Sequence, residues 1–370
     1  MSRYMIERMV SMGSLKKIKD FVIYKDDQYN TFPSAAKLHN GDVIVGFRSA
    51  PDWQHVFGKV THVDPSSIAV FVRSKDYGAT WDPKPSLIHR DYFLGIQDPC
   101  LNVLNDGTLF CTFFTWKVYP KSDVEPKPLD FNIYDRWIGR NGGVYSIRSA
   151  DGGQSWDEPI PIPNYCNGVR GNIVELDDGS ILLPMYGSND DPSRSVIAVT
   201  KDRGHTWEMR SIIASSEDIL FQEPNIYKTE SGKIVAFLRT RKIRNYSSEE
   251  LRSPLYTCES YDNGKTWVNL TEHPVYSPSP FQAIRLKSGN VLLTYGCRIR
   301  PYGIHAMILD SECSNIGDAV PTVIRDDGPG TDLGYTSAVQ MDNGDILIAY
   351  YYYDEERGVR YIAGTICREV

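Results

Sequence analysis

An octet of the form Ser/Thr-x-Asp-x-Gly-x-Ser/Thr-Trp occurs four times in this chain, as SKDYGATW at 74–81, SADGGQSW at 149–156, TKDRGHTW at 200–207 and SYDNGKTW at 260–267. Its chemistry is that of a hairpin turn. The Asp carboxylate accepts bonds from nearby backbone N–H groups, the Gly supplies a positive φ, and the Trp covers the turn. Four copies of so specific a pattern point to a repeat architecture. A second repeat runs between the octets, a turn Gly followed by an apolar strand: GDVIVGF, GTLFCTF, GSILLPM, GKIVAFL, GNVLLTY and GDILIAY, with the Gly at 41, 107, 179, 232, 289 and 344. Spacings of roughly fifty to seventy residues suit four short strands per unit. Six copies predict an all-β chain: a six-bladed β-propeller of four-stranded antiparallel blades, with the octets at outer hairpins away from the axis, in a single domain over 1–370.

Three segments depart from the regular unit. DSECSNIGD at 310–318 reads as a degenerate octet. The stretch 117–138 is polar and Pro-rich and predicts a loop over one face. The C-terminal VRYIAGTICRE is expected to pair with the N-terminal KDFVIYKD and close the ring, because closure removes exposed sheet edges.

The formal net charge of −7 argues against a nucleic-acid or anionic-membrane partner, which needs a basic face. No apolar run is long enough to span a bilayer, and the first 17 residues lack an apolar h-region, so a cytoplasmic protein without a signal peptide is expected. The seven Cys form no CxxC pair and read as reduced thiols. The His residues show no ligand spacing, and there is no GxSxG elbow and no phosphate-binding Gly loop. No metal and no cofactor is expected.

One column of the repeat carries chemistry. Nine residues before each turn Gly lie Phe32, Asp98, Arg170, Glu223, Pro280 and Tyr335. In a propeller, equivalent positions of successive blades converge on the axis. Two carboxylates, a guanidinium and a phenol would therefore share one pocket, a composition suited to an anionic sugar. Seven residues after the Gly, the column reads Arg48, Phe114, Tyr186, Arg239, Gly296 and Tyr351, which adds Arg48 and Arg239 as sources of positive charge.

At these residues the sequence resembles the exo-sialidases and their wider Asp-box superfamily. The octets are the Asp boxes, specific for the superfamily but not for an activity. GYTSAVQMDNGDILIAYY at 334–351 is similar to the segment carrying the sialidase Tyr nucleophile, which implies Tyr335. QEPNIYKTESGKIVAFLR at 222–239 is similar to the segment with its Glu partner and a carboxylate-binding Arg, implying Glu223 and Arg239. DPCLNVLNDGTLF at 98–110 resembles another active-site segment, with Asp98. RSAPDW at 48–53 resembles the stretch holding a sugar-contacting Arg and the acid/base Asp, implying Arg48 and Asp52, with Asp64 as a rival acid. A third clamp Arg falls in CRIRPYG, at Arg298 or Arg300. The chain departs from the family in its first blade. The Arg-Ile-Pro motif is replaced by Thr31-Phe32-Pro33, so the first Arg of the three-Arg clamp is missing, while Arg170 enters the axial column from another blade.

The resemblance implies a retaining exo-glycosidase acting on a terminal acidic sugar of a glycoconjugate. Tyr335 would be the nucleophile, Glu223 its base and Asp52 the acid/base, with Arg48, Asp98, Arg170, Arg239, Arg298 or Arg300 at the substrate. Two alternatives stay open at this stage: a polysaccharide lyase acting on uronic acids, and a non-catalytic glycan-binding propeller.

Overall fold

The computed structural model describes residues 13–127, 129–163, 165–188, 191–242 and 253–370. The leader reading of residues 1–12 lies outside them. The chain is almost entirely strand. In chain order the strands are β1 (Leu15–Tyr24), then β2 (Gln28–Lys37), β3 (Val43–Pro51), β4 (Ile68–Ser74) and β5 (Ser86–His89) of the first blade. The second blade holds β6 (Gly95–Val103), β7 (Leu109–Pro120), β8 (Phe131–Ile133), β9 (Trp137–Ser149) and β10 (Ile160–Ile162). The third holds β11 (Gly168–Val169), β12 (Val174–Glu175), β13 (Ile181–Tyr186), β14 (Ser195–Thr200) and β15 (Glu208–Ala214). The fourth is β16 (Ile219–Lys228), β17 (Ile234–Lys242), β18 (Pro254–Ser260) and β19 (Val268–Tyr276), and the fifth β20 (Phe281–Arg285), β21 (Val291–Cys297), β22 (Tyr302–Leu309) and β23 (Thr322–Gly328). The sixth is β24 (Gly334–Gln340), β25 (Ile346–Tyr352) and β26 (Tyr361–Glu369), completed on its outside by β1. Each sheet is an antiparallel meander of four main strands, so the architecture is the six-bladed β-propeller that the repeat predicts.

Closure follows the expected pairing, with Leu15 opposite Glu369 and Tyr24 opposite Ile362. The last blade thus takes its outer strand from the start of the chain, which leaves β26 no free edge.

The apolar runs after each turn Gly are continuous because each blade is packed on both faces. Period-two alternation then sends successive residues to different neighbours. Val43, Val45 and Phe47 pack with Leu347, Ala349 and Tyr351 of the sixth blade, whereas Ile44 packs with Leu101 and Cys111 of the second. Ile234, Ala236 and Leu238 face the third blade, and Val235 and Phe237 face the fifth. The described residues form six such apolar clusters, one between each pair of adjacent blades.

The turn Gly residues all take φ between +80° and +93°. The Asp boxes join the third and fourth strands, away from the axis, as expected. In each, the Asp accepts bonds from the N–H and hydroxyl four residues on, as from Thr80 to Asp76 at 2.8 and 2.5 Å. The degenerate box keeps this device, since Ser314 N–H donates to Asp310 at 2.9 Å. The 117–138 stretch corrects the expectation of a loop. β7 and β9 run on past the blade as a long hairpin, and β8 adds a third strand to it. All seven Cys are free and buried. Among the described residues, no helix is long and apolar enough to cross a membrane.

Candidate active site

The axial column interrupts the innermost strand in every blade but the fifth, where it directly precedes the strand. Pairing skips from Thr31 to Ser34, from Gln97 to Cys100, from Gln222 to Asn225 and from Gly334 to Ser337, with one residue opposite the two that are skipped. These are β-bulges, and the first bulge residue has positive φ in each: Phe32 at 57°, Asp98 at 48°, Glu223 at 45° and Tyr335 at 52°. In the third blade the inner strand breaks between β11 and β12 at Arg170, and in the fifth β20 begins directly after Pro280. A left-handed non-Gly residue costs about 1–3 kcal/mol, and four at equivalent positions are held by the surrounding fold. The bulge takes each side chain out of the strand's alternation.

Tyr335 and Glu223 meet there. The Tyr335 hydroxyl donates a short hydrogen bond to Glu223 Oε1. Arg239 Nη1 lies 2.5 Å from Glu223 Oε2 and 3.2 Å from the Tyr335 oxygen. Arg239 arrives because its column is in register with the residue before the bulge, Gln222. Burial and the Glu223 charge raise the phenol's pKa well above its usual value, against the opposing pull of Arg239, so the hydroxyl keeps its proton. Phe32 packs on the Tyr335 ring at 4.7 Å between centroids. Asp98 is buried beside them, and Gln97 Nε2 donates to it at 3.2 Å. Burial raises its carboxyl to about 7, with Glu223 adding to the rise and Arg170, Arg48 and Arg239 opposing it.

The arginines divide into two kinds. Arg170 lies 5.1 Å from the Tyr335 ring centroid, but its guanidinium donates to three main-chain carbonyls: Phe32 at 3.3 Å, Pro33 at 2.8 Å and Tyr335 at 3.2 Å. It staples the third blade to the bulges of the first and sixth. Arg298 likewise donates to Leu333 O at 3.0 Å and to the Tyr351 hydroxyl at 2.9 Å, with its guanidinium 5.3 Å from the Tyr335 ring. Arg300 is placed elsewhere: it is exposed and donates to the Tyr302 hydroxyl at 3.3 Å. Of the two candidates in CRIRPYG, only Arg298 is at the site. Arg48 is fully buried, and none of its three guanidinium nitrogens has a hydrogen-bond partner among the described residues. It lies 5.7 Å from the Tyr29 ring centroid and feels the charges of Asp64 and Asp98.

Asp52 and Asp64 are distinguished by their bonds. Asp64 accepts three bonds, taking Trp53 Nε1–H at 2.5 Å on one oxygen and the Ser66 N–H and hydroxyl at 2.7 and 2.6 Å on the other. Asp52 accepts one bond, from Gln54 N–H at 2.8 Å, and its Oδ2 is buried with no partner among the described residues.

The sequence reading missed Asp332. This carboxylate accepts from Tyr351 at 3.0 Å, Tyr29 at 2.9 Å and Arg360 at 2.9 Å, with His62 at 3.1 Å. Arg360 continues to Gln54 Oε1 at 3.0 Å, next to Asp52. Asp332 precedes Tyr335 by only three residues, but it lies in a Gly/Pro loop outside the repeat's phase, so no column pointed to it.

Comparison with known proteins agrees with the fold. The BNR repeat-like domain profile matches residues 131–348. A sialidase of Clostridium perfringens is 20% identical over 207 residues, 52% of this chain and 51% of that protein. The chain thus spans about half the length of the curated relative it matches. A crystal structure of a protein of unknown function from Dyadobacter fermentans is 34% identical, covers 96% of this chain and 99% of its own, and has a TM-score of 0.85. The K499G mutant of NanB sialidase from Streptococcus pneumoniae is 14% identical, with TM-score 0.66 over 96% of this chain and 70% of that one. The chain belongs to the BNR repeat-like family and shares its propeller fold with the NanB sialidase.

Proposed function

We propose that this protein is a retaining exo-glycosidase that removes a terminal acidic sugar from a glycoconjugate, with Tyr335 as nucleophile. The observation that carries the reading is the buried Tyr335–Glu223 hydrogen bond, bridged by Arg239. At an anomeric carbon bearing a carboxylate, an anionic nucleophile is repelled, whereas a neutral phenol is not. The raised phenol pKa keeps Tyr335 neutral until it attacks, and Glu223 takes the proton as the new C–O bond forms. Asp52, with one carboxylate oxygen free, protonates the departing glycosidic oxygen and later takes a proton from the water that releases the sugar. Arg48, Arg239 and Arg298 supply the charge for the substrate carboxylate.

The sugar differs from an ordinary sialic acid. Thr31 stands where the resemblance places the first clamp Arg, and Arg170 does not replace it, because both its terminal nitrogens already donate to the bulge carbonyls. One missing charged hydrogen bond, at about 1.5–3 kcal/mol, weakens binding roughly tenfold to 150-fold. The test is a panel of aryl sialosides, other nonulosonic acid glycosides and uronosides, followed by NMR. The expected result is poor sialoside turnover, better turnover of another acidic sugar, and first-formed product with retained anomeric configuration. Inverted product, an unsaturated product absorbing in the ultraviolet, or no turnover of any member contradicts the proposal.

A further inference from the structure

The loop between the fifth and sixth blades carries a carboxylate shared by four residues of the first and sixth blades. Asp332 Oδ1 accepts the Tyr351 hydroxyl at 3.0 Å and faces His62 Nε2 at 3.1 Å. Its Oδ2 accepts the Tyr29 hydroxyl and Arg360 Nε, both at 2.9 Å. Only 16% of the Asp332 side chain is exposed, and Tyr29, Tyr351 and Arg360 are buried. Desolvation works against its charge, but the His62 bond and the Arg360 and Arg298 charges hold the carboxyl well below the usual range, so it stays ionised. Apolar packing would hold the blades together without the cost of drawing a charge out of water.

Two branches run from this carboxylate to the site. In the first, the Tyr351 hydroxyl that donates to Asp332 accepts Arg298 Nη2 at 2.9 Å, and Leu333 O, one residue on from Asp332, accepts Arg298 Nε at 3.0 Å. Bonds on two nitrogens of a planar fork fix its plane, and this fork lies 5.3 Å from the Tyr335 ring centroid. In the second, Arg360 Nη1 donates to Gln54 Oε1 at 3.0 Å while Gln54 Nε2 donates to Arg357 O at 2.7 Å. The Gln54 side chain is gripped at both polar atoms, and its main-chain N–H is the donor to Asp52 Oδ1 at 2.8 Å. The Tyr29 hydroxyl reaches the same carboxylate but passes no hydrogen bond on to Arg298 or Asp52.

We propose that Asp332 is a positioning residue of the site: it orients Arg298 through Tyr351 and its own loop, and it holds the Asp52 turn through Arg360 and Gln54. What Arg298 and Asp52 then do rests on the glycosidase reading above. The branches divide the work, one aligning a guanidinium for the substrate carboxylate and the other an acid for the departing oxygen.

Tyr351→Phe and Tyr29→Phe each delete one hydroxyl bonded to the same carboxylate and keep the ring, so a hub serving stability alone loses about equally in both. Positioning predicts that both lower the melting temperature but only Tyr351→Phe weakens binding of an acidic sugar, about three- to tenfold, the scale of one hydrogen bond. Binding is read by isothermal titration with glucuronic, galacturonic and N-acetylneuraminic acids. Gln54→Ala should show the opposite split: kcat on the best-cleaved panel glycoside falls about three- to tenfold, with KM kept within about twofold. Asp332→Asn should show both effects, and where it does not fold the single-branch variants decide. Equal weakening of binding in the two Tyr variants, or an unchanged kcat in Gln54→Ala, overturns the proposal. If wild type binds none of these acids and cleaves no glycoside, the glycosidase reading fails, and crystal structures of Tyr351→Phe and Gln54→Ala judge the positioning alone. Arg298 displaced in the first and Asp52 in the second upholds it, and both unmoved overturns it.

Discussion

A guanidinium held out of water with no hydrogen-bond partner carries a desolvation cost that a fold built only for stability would avoid. Arg48 is such a group among the described residues, and its burial within reach of the Asp64 and Asp98 charges is what an anion-binding site looks like before the anion arrives. Asp98 shows the opposite tuning. Its raised pKa means that it is protonated in the folded chain between its ordinary value of 3.8 and about 7, where the unfolded chain is ionised. Its contribution to stability is therefore fully present below about pH 4 and is lost as pH rises through about 7. Asp98→Asn removes that loss, so the melting temperature of the variant relative to wild type should rise between pH 5 and pH 8. A relative melting temperature that stays flat or falls over that interval contradicts this assignment.

At the scale of the element, the bulge is what turns a structural strand into a site. Its position was legible, because in four blades the column nine residues before the turn Gly is the bulge itself. Its geometry was not, since nothing in Phe32, Asp98, Glu223 or Tyr335 as residue types announces a positive φ. Arg170 shares the column and holds the bulges through their carbonyls. Removing it leaves three buried carbonyls short of a donor, at about 1–3 kcal/mol each. Arg170→Met should thus lower unfolding free energy by at least about 2 kcal/mol, read by urea denaturation. Unchanged stability with weakened substrate binding would make Arg170 a ligand-binding group instead. The extension formed by β7, β8 and β9 was misread because its polar, Pro-rich composition hides strands that pair beyond the blade, where no core imposes alternation.

At the scale of the whole molecule, the six-fold repeat made the architecture readable. Each blade must bury both faces, so its second strand is an apolar run that recurs six times, and β1 must return to close the ring. Residues that depend on loops rather than on repeat phase stayed hidden, as Asp332 did, or ambiguous, as Arg298 and Arg300 did until Arg298 was found beside Tyr335. The ring matters to the chemistry because the fourth blade supplies Glu223 and Arg239, the sixth Tyr335 and the first Arg48 and Asp52. The most direct measurement is the steady-state and binding behaviour of Tyr335→Phe on the panel glycoside that wild type cleaves best. Phe keeps the ring among Phe32, Arg170 and Arg298 and deletes only the oxygen proposed to attack. The account predicts a fall in kcat of about a thousandfold or more with substrate affinity kept within a few-fold. Turnover near the wild-type rate by pure Tyr335→Phe would contradict it.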